Sequence, residues 1–136
     1  MPFLHLSTLP ALPATTRDAL AAGLTQALSD VLGKRHAVSA VLIDTPADAG
    51  WYIGGVPVGP GALTALHAVV YITAGTNTPA EKTAFITAVH AALDAAGVQR
   101  PEASYCIVQE LPAGDWGYNG ITQAARAAQR ALAGAG

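Results

Sequence analysis

The six residues PADAGW, from Pro46 to Trp51, return as PAGDW from Pro112 to Trp116, 66 residues later at the proline. What precedes each copy also matches in kind. In the first half PFLHLST (Pro2 to Thr8) is a short apolar run, a helix-like stretch follows from Thr15 to Leu32, and VSAVLIDT (Val38 to Thr45) is rich in β-branched residues. In the second half HAVVYITAG, TNTPAEKTAFITAVHAALDAAG and SYCIVQELP run through the same order before the glycine-rich GDWGYNG. A β–α–β unit made twice allows few folds. The spacing predicts an α+β domain over 1–136, with pseudo-repeats at about 2–60 and 66–120. Their strands merge into one four-stranded sheet with two helices on one face. The other face is then uncovered, and an apolar sheet face without helices needs a partner.

Both helices carry local signals. Leu20, Leu24, Leu28 and Leu32 form an i, i+4 stripe, with Thr15 or Thr16 as N-cap and Gly33 at the C-cap position. The second helix has Thr78 as N-cap, Pro79 at N1 and Glu81 completing a capping box, and Gly97 closes it. WYIGGVPVGPG after the first unit reads as a tight turn or hairpin. The alanine-rich tail from Ile121 to Gly136 reads as a short C-terminal helix that frays at its glycines, with Ile121, Ala125, Ala128 and Leu132 near one face and Arg126 and Arg130 on another.

Composition narrows the partners. Hydrophobic residues make up 51% of the chain and charged residues only 12%, a low charge density for a monomer whose whole surface meets water. An oligomer is expected. Net charge is −2 with seven basic residues spread thinly, so nucleic acid and anionic membranes are not expected partners. Cys106 stands alone, which excludes an internal disulfide and a cysteine-based zinc cluster and suits a reducing cytoplasm. The N-terminus carries no basic segment followed by an apolar one, and no apolar run approaches a membrane span. His5, His36, His67 and His90 are scattered over different elements without metal-site spacing and read as structural; Glu110 and Asp115 suit edge or turn roles.

Chemistry is suggested by Pro2. Behind the initiator methionine it occupies the one strand position that tolerates a missing N–H, which is reason enough for a proline. Removal of Met1 would also leave it as a terminal secondary amine. A free α-amine titrates at about 7.7–8.0, and burial or a neighbouring cation lowers that toward the working pH of an acid–base catalyst. Lys34 could answer the dipole at the end of the first helix or hold an anion, and Arg35 could do either. Tyr105 could pack on its strand or act in a site. Trp51 and Trp116 follow turn signals as core anchors, interface anchors or pocket walls.

A duplicated β–α–β chain that opens on proline resembles the tautomerase superfamily, which includes 4-oxalocrotonate tautomerase and macrophage migration inhibitory factor. The likeness runs from Pro2 to Gly120 through LGK (Leu32 to Lys34), WYIGG (Trp51 to Gly55), LHAVV (Leu66 to Val70), YCIVQEL (Tyr105 to Leu111) and WGYNG (Trp116 to Gly120). It implies Pro2 as catalytic base or acid, Tyr105 as a catalytic residue reaching in from a neighbouring subunit, and substrate-binding positions at Lys34, Arg35, Trp51, Val69 and Trp116. Where oxalocrotonate tautomerases carry arginines for a dicarboxylate, this chain has Ala40, Thr76 and Tyr105. The implied activity is a cofactor-independent, metal-free tautomerase of a small 2-oxo acid or its enol, a cytoplasmic homotrimer with one site per chain. Its alternatives are a decarboxylase, hydratase or dehalogenase using the same proline, or a non-catalytic binding trimer.

Overall fold

A computed structural model of the chain describes residues 2–58 and 61–135. Met1, Gly59, Pro60 and Gly136, on which parts of the first-residue, hairpin and tail expectations fall, lie outside the described residues. The first half contains β1 (Phe3–Leu9), α1 (Ala14–Asp30), β2 (Ala40–Asp44) and the two-residue strands β3 (Tyr52–Ile53) and β4 (Val56–Pro57). The second half repeats that order with β5 (Ala65–Thr73), α2 (Pro79–Ala95), β6 (Tyr105–Leu111), β7 (Gly117–Tyr118) and β8 (Ile121–Thr122), and α3 (Gln123–Ala135) follows.

The fold is α+β, with a mixed four-stranded sheet in the order β2-β1-β5-β6. β1 pairs parallel with β2, β5 pairs parallel with β6, and the two halves join where β1 runs antiparallel to β5, with Phe3 opposite Tyr71 and Leu9 opposite Ala65. Alternation along these strands sends Leu4 and Leu6 of β1 and Leu66, Ala68, Val70 and Ile72 of β5 into one core. That core is closed by Leu20, Leu24 and Leu28 of α1 and Phe85, Val89 and Leu93 of α2, all essentially inaccessible to water. The helices meet closely at Gly23, where a Cβ would lie 3.6 Å from the Ala92 methyl carbon. The opposite face of the sheet keeps large apolar groups in the open: Phe3 is 39% exposed, Leu42 44%, Ile107 43% and Tyr105 67%.

Local chemistry explains the element ends. Thr78 Oγ1 accepts from the Glu81 N–H at 3.1 Å and a Glu81 carboxylate oxygen accepts from the Thr78 N–H at 2.8 Å, the expected capping box. The hydrogen bond from the Thr78 backbone is the leading reason the Glu81 carboxyl titrates below its ordinary range. α1 differs from expectation. Its N-cap is Pro13, without a side-chain cap, so Thr15 and Thr16 fall inside the first turn; the extended backbone of Pro13 starts the helix two to three residues before the expected caps. β2 begins at Ala40 rather than Val38, because His36–Val38 closes a single 3-10 turn first. The tail helix starts at Gln123, since Ile121 and Thr122 pair with β7, and it continues through Gly134 to Ala135 instead of fraying there.

The two hairpins share one turn chemistry. Gly54 and Gly55 at the tip of β3–β4 have φ of 59° and 76°, and Asn119 and Gly120 at the tip of β7–β8 have φ of 52° and 76°. Positive φ at both central residues defines the type I′ turn that matches strand twist, and Gly-Gly and Asn-Gly are the pairs that adopt it. No helix among the described residues is long and apolar enough to cross a membrane. Phe85 is the largest side chain in the core, and Phe85→Ala is expected to cost about 3–5 kcal/mol of unfolding free energy. Chemical denaturation followed by far-UV circular dichroism measures it.

Candidate active site

Pro2 is buried where β1 begins, and its carbonyl accepts from the Ala40 N–H at 3.2 Å, which ties the chain's start to β2. Beside it opens a cavity of about 380 Å³ whose walls include Phe3, Tyr71, Trp116, Tyr118 and Gln123. The aromatic character is set by register and by the second hairpin. Pairing of β1 with β5 brings Tyr71 opposite Phe3, their rings 6.3 Å apart and tilted by 43°. Trp116 precedes β7 and Tyr118 lies two residues on, so alternation sends both to one side.

The walls contributed by the second hairpin are held. The Trp116 indole N–H donates to Thr73 Oγ1 at 3.2 Å, and the Trp116 carbonyl accepts from the Gln123 N–H at 2.9 Å. Arg126 of α3 lays its guanidinium 3.7 Å over the Tyr118 ring and donates to the Tyr118 carbonyl at 3.0 Å. α3 is therefore part of the cavity's support. Its own start is fixed by Thr122 Oγ1, which accepts from the Ala125 N–H at 3.0 Å.

Lys34 and Arg35 line a second hollow of about 340 Å³, which shares the buried Gln123 side chain with the first. Gly33, at φ 66°, turns the chain after α1 so that the Lys34 N–H reaches the Leu28 carbonyl at 3.0 Å. The Lys34 ammonium does not return to the end of α1. It donates to Thr76 Oγ1 at 2.9 Å, across to the other half of the chain, while the Leu32 carbonyl is met by the Asn77 side-chain amide at 3.0 Å. Burial lowers the Lys34 pKa, partly opposed by the Glu81 carboxylate.

The remaining sequence-derived positions lie elsewhere. Tyr105 opens β6 opposite His67, toward the end of β5 away from Tyr71, and borders a depression with Ile53, Pro101 and Ser104. The Trp51 ring lies beside that same His67, centroids 6.0 Å apart and tilted by 56°. Val69 stands between them and Pro2, half-buried in β5 opposite His5 and Ile107. Within one chain the set divides into Pro2 and Trp116 in one cavity, Lys34 and Arg35 in its neighbour, and Tyr105 and Trp51 farther along the sheet. Near that second group, Ser7 and His5 both bond Asp44 Oδ1 at 2.8 Å, and the Ser7 hydroxyl followed by His5 holds the Asp44 carboxyl below its ordinary range. Wall residues given no site role by the sequence reading are Phe3, Tyr71, Tyr118 and Gln123. Only Tyr118 had a local signal, its i, i+2 relation to Trp116.

Residues 2–60 match the model of the family described as "Tautomerase enzyme". Among solved structures, the fused 4-OT wild type described as an asymmetric trimer is 25% identical with a TM-score of 0.74, covering 93% of this chain and 98% of that one. The structure of Pt0534 inactivated by 2-oxo-3-pentynoate is 19% identical with a TM-score of 0.77, covering 91% and 98%. N1, a member of the cis-3-chloroacrylic acid dehalogenase family, is 21% identical with a TM-score of 0.72, covering 88% and 82%. Comparison with curated protein sequences found no significant match. Residues 2–60 thus match the tautomerase family model, and the chain as a whole shares the fold of these solved structures.

The hairpin that carries Trp116 closes only because residue 117 has no side chain. A Cβ there would lie 2.2 Å from the Ile121 carbonyl oxygen. Gly117→Ala is expected to open the hairpin and release Trp116 to water at a cost of about 1–3 kcal/mol. In a Trp51→Phe background, a red shift of the remaining tryptophan emission reports it.

Proposed function

We propose that this chain is a cofactor-independent tautomerase of small 2-oxo acids or their enols, working as a homotrimer with Pro2 as the proton carrier once Met1 has been removed. The observation that carries this reading is a buried Pro2 facing an aromatic cavity that abuts a cation-lined one. The family match, which begins at residue 2, supports it.

Enclosure by Phe3, Tyr71 and Trp116 disfavours the ammonium form of the Pro2 amine, and the positive charge of Lys34 acts in the same sense. The neutral amine then takes a proton from C3 of the 2-oxo acid. The C–H electron pair becomes the C2–C3 double bond, and the carbonyl π pair moves onto oxygen. Lys34 holds the C1 carboxylate, and a hydroxyl donor at the enolate oxygen lowers the barrier further. Return of the proton to oxygen gives the enol and regenerates the amine. Because base form and activity rise together, the rate climbs with pH through the Pro2 pKa.

The trimer is part of this reading. Within one chain Tyr105 and Trp51 are far along the sheet from Pro2, so a second copy must supply them if they act there. The exposed Phe3, Leu42 and Ile107 form an apolar sheet face that such a copy would cover. The relative described as a trimer supports three copies.

Intact mass should lack Met1. Pro2→Ala is expected to lower enol–keto turnover of 2-oxo-3-phenylpropanoate about 10²–10⁴-fold, the usual worth of a general base. Labelling by 2-oxo-3-pentynoate, through conjugate addition of the amine, should stop at one equivalent per chain. The position 66 residues after Pro2 is the internal Ala68, and burial pushes the Cys106 thiol up to about 11, leaving it inert at neutral pH. Retained Met1, with turnover indifferent to Pro2→Ala, would favour the non-catalytic binding trimer. Ile107→Glu on the open face is expected to convert the trimer to monomers by sedimentation velocity, and a wild-type monomer at micromolar concentration would refute the assembly.

A further inference from the structure

Lys34 and Arg35, in the turn after α1, share their hollow with a third cation, Arg130 of α3. The helix that brings it has no counterpart in the first half of the chain. Gln123, Ala127 and Arg130 fall at i, i+4 and i+7 and line the hollow from one side. Arg126, on a neighbouring stripe, is committed to Tyr118. Bonds from the Gln123 N–H to the Trp116 carbonyl and from the Ala124 N–H to the Ala113 carbonyl, at 2.9 and 2.8 Å, seat α3 against the second hairpin. Arg130 is therefore carried on an anchored element.

No carboxylate is among the described residues lining this hollow. Glu81 is the acid that influences Lys34, and its carboxylate accepts from the Thr78 N–H and the Asn77 amide. Three cationic residues line this hollow of about 340 Å³, and a single carboxylate balances only one of them. Gln123 and the Trp116–Thr73 hydrogen bond form the wall between this hollow and the Pro2 cavity. An acid reacting at Pro2 has its charged end nearby.

We propose that Arg130 joins Lys34 and Arg35 to bind the doubly charged oxyanion end of a substrate, either two neighbouring carboxylates or a phosphate, and so selects dianionic over monoanionic acids. The binding stands on the charge arrangement alone; only its connection to turnover rests on the tautomerase reading.

Calorimetric titration of the full chain with malonate, propanoate and inorganic phosphate tests it. Malonate should bind at least 10-fold more tightly than propanoate. Arg130→Ala should remove at least 10-fold of the malonate affinity and much less of the propanoate affinity, Arg130→Lys should restore most of it, and Gln129→Ala, on the exposed side of α3, should leave the discrimination intact. Phosphate competing at malonate-like affinity identifies a phosphate-bearing end; phosphate failing to compete identifies a dicarboxylate. Equal wild-type affinity for malonate and propanoate, or malonate affinity indifferent to Arg130→Ala, overturns the proposal. Arg130-dependent malonate binding in a protein that turns over no acid would sink the tautomerase reading and leave this site standing.

Discussion

The leucine stripe of α1 and the Phe85, Val89 and Leu93 stripe of α2 bury the same face of a single sheet, and the other features depend on this one-sided burial. Each fully buried side chain of this size contributes roughly 1.5–3 kcal/mol. The two stripes therefore hold both halves to one core rather than to two. Because β1 and β5 are the central strands and run antiparallel, the halves meet head to tail, and the start of β1 comes to lie beside the far end of β5. That pairing brings Pro2, Phe3 and Tyr71 together. The same one-sidedness leaves Leu42, Ile107 and Tyr105 exposed on the opposite face.

Two short hairpins built on one turn geometry have different surroundings. The first, turning at Gly54 and Gly55, leaves Tyr52 and Val56 exposed. The second, turning at Asn119 and Gly120, is packed by α3, which holds Trp116 through its carbonyl and Tyr118 through Arg126. A helix outside the repeat thus makes the halves unequal. The aromatic cavity lies on the side that has the additional support.

Charge is distributed with similar asymmetry. Arg100 is paired with Asp94 and bonds His90, and Lys82 is paired with Glu110, all on or near α2 and its neighbouring strand. Lys34, Arg35 and Arg130 line a hollow that has no acid among its described lining residues. A protein with only seven basic residues has three of them around one hollow. Exposed ion pairs contribute little to stability, so the unpaired group is the more informative feature.

The sequence by itself determined the repeated β–α–β order, the helix stripes, the Thr78–Glu81 capping box and the tight turn in WYIGGVPVGPG. Each is a local property, decided by residues within a few positions of one another, and each is legible as periodicity or as a residue type suited to one backbone conformation. The nearness of Trp116 to Pro2 came from likeness to a known family. Tertiary structure alone decided that Tyr71 stands opposite Phe3, that Lys34 reaches Thr76 instead of its own helix end, and that Tyr105 and Trp51 lie far from Pro2 in one chain. These follow from strand register between distant segments, which no local pattern encodes. α3 was legible as a helix but not as a wall of two cavities. Its alanine-rich stretch offers few apolar anchors, and Leu132, its one large aliphatic residue, is 76% exposed, so polar contacts from Gln123 and Arg126 seat it instead.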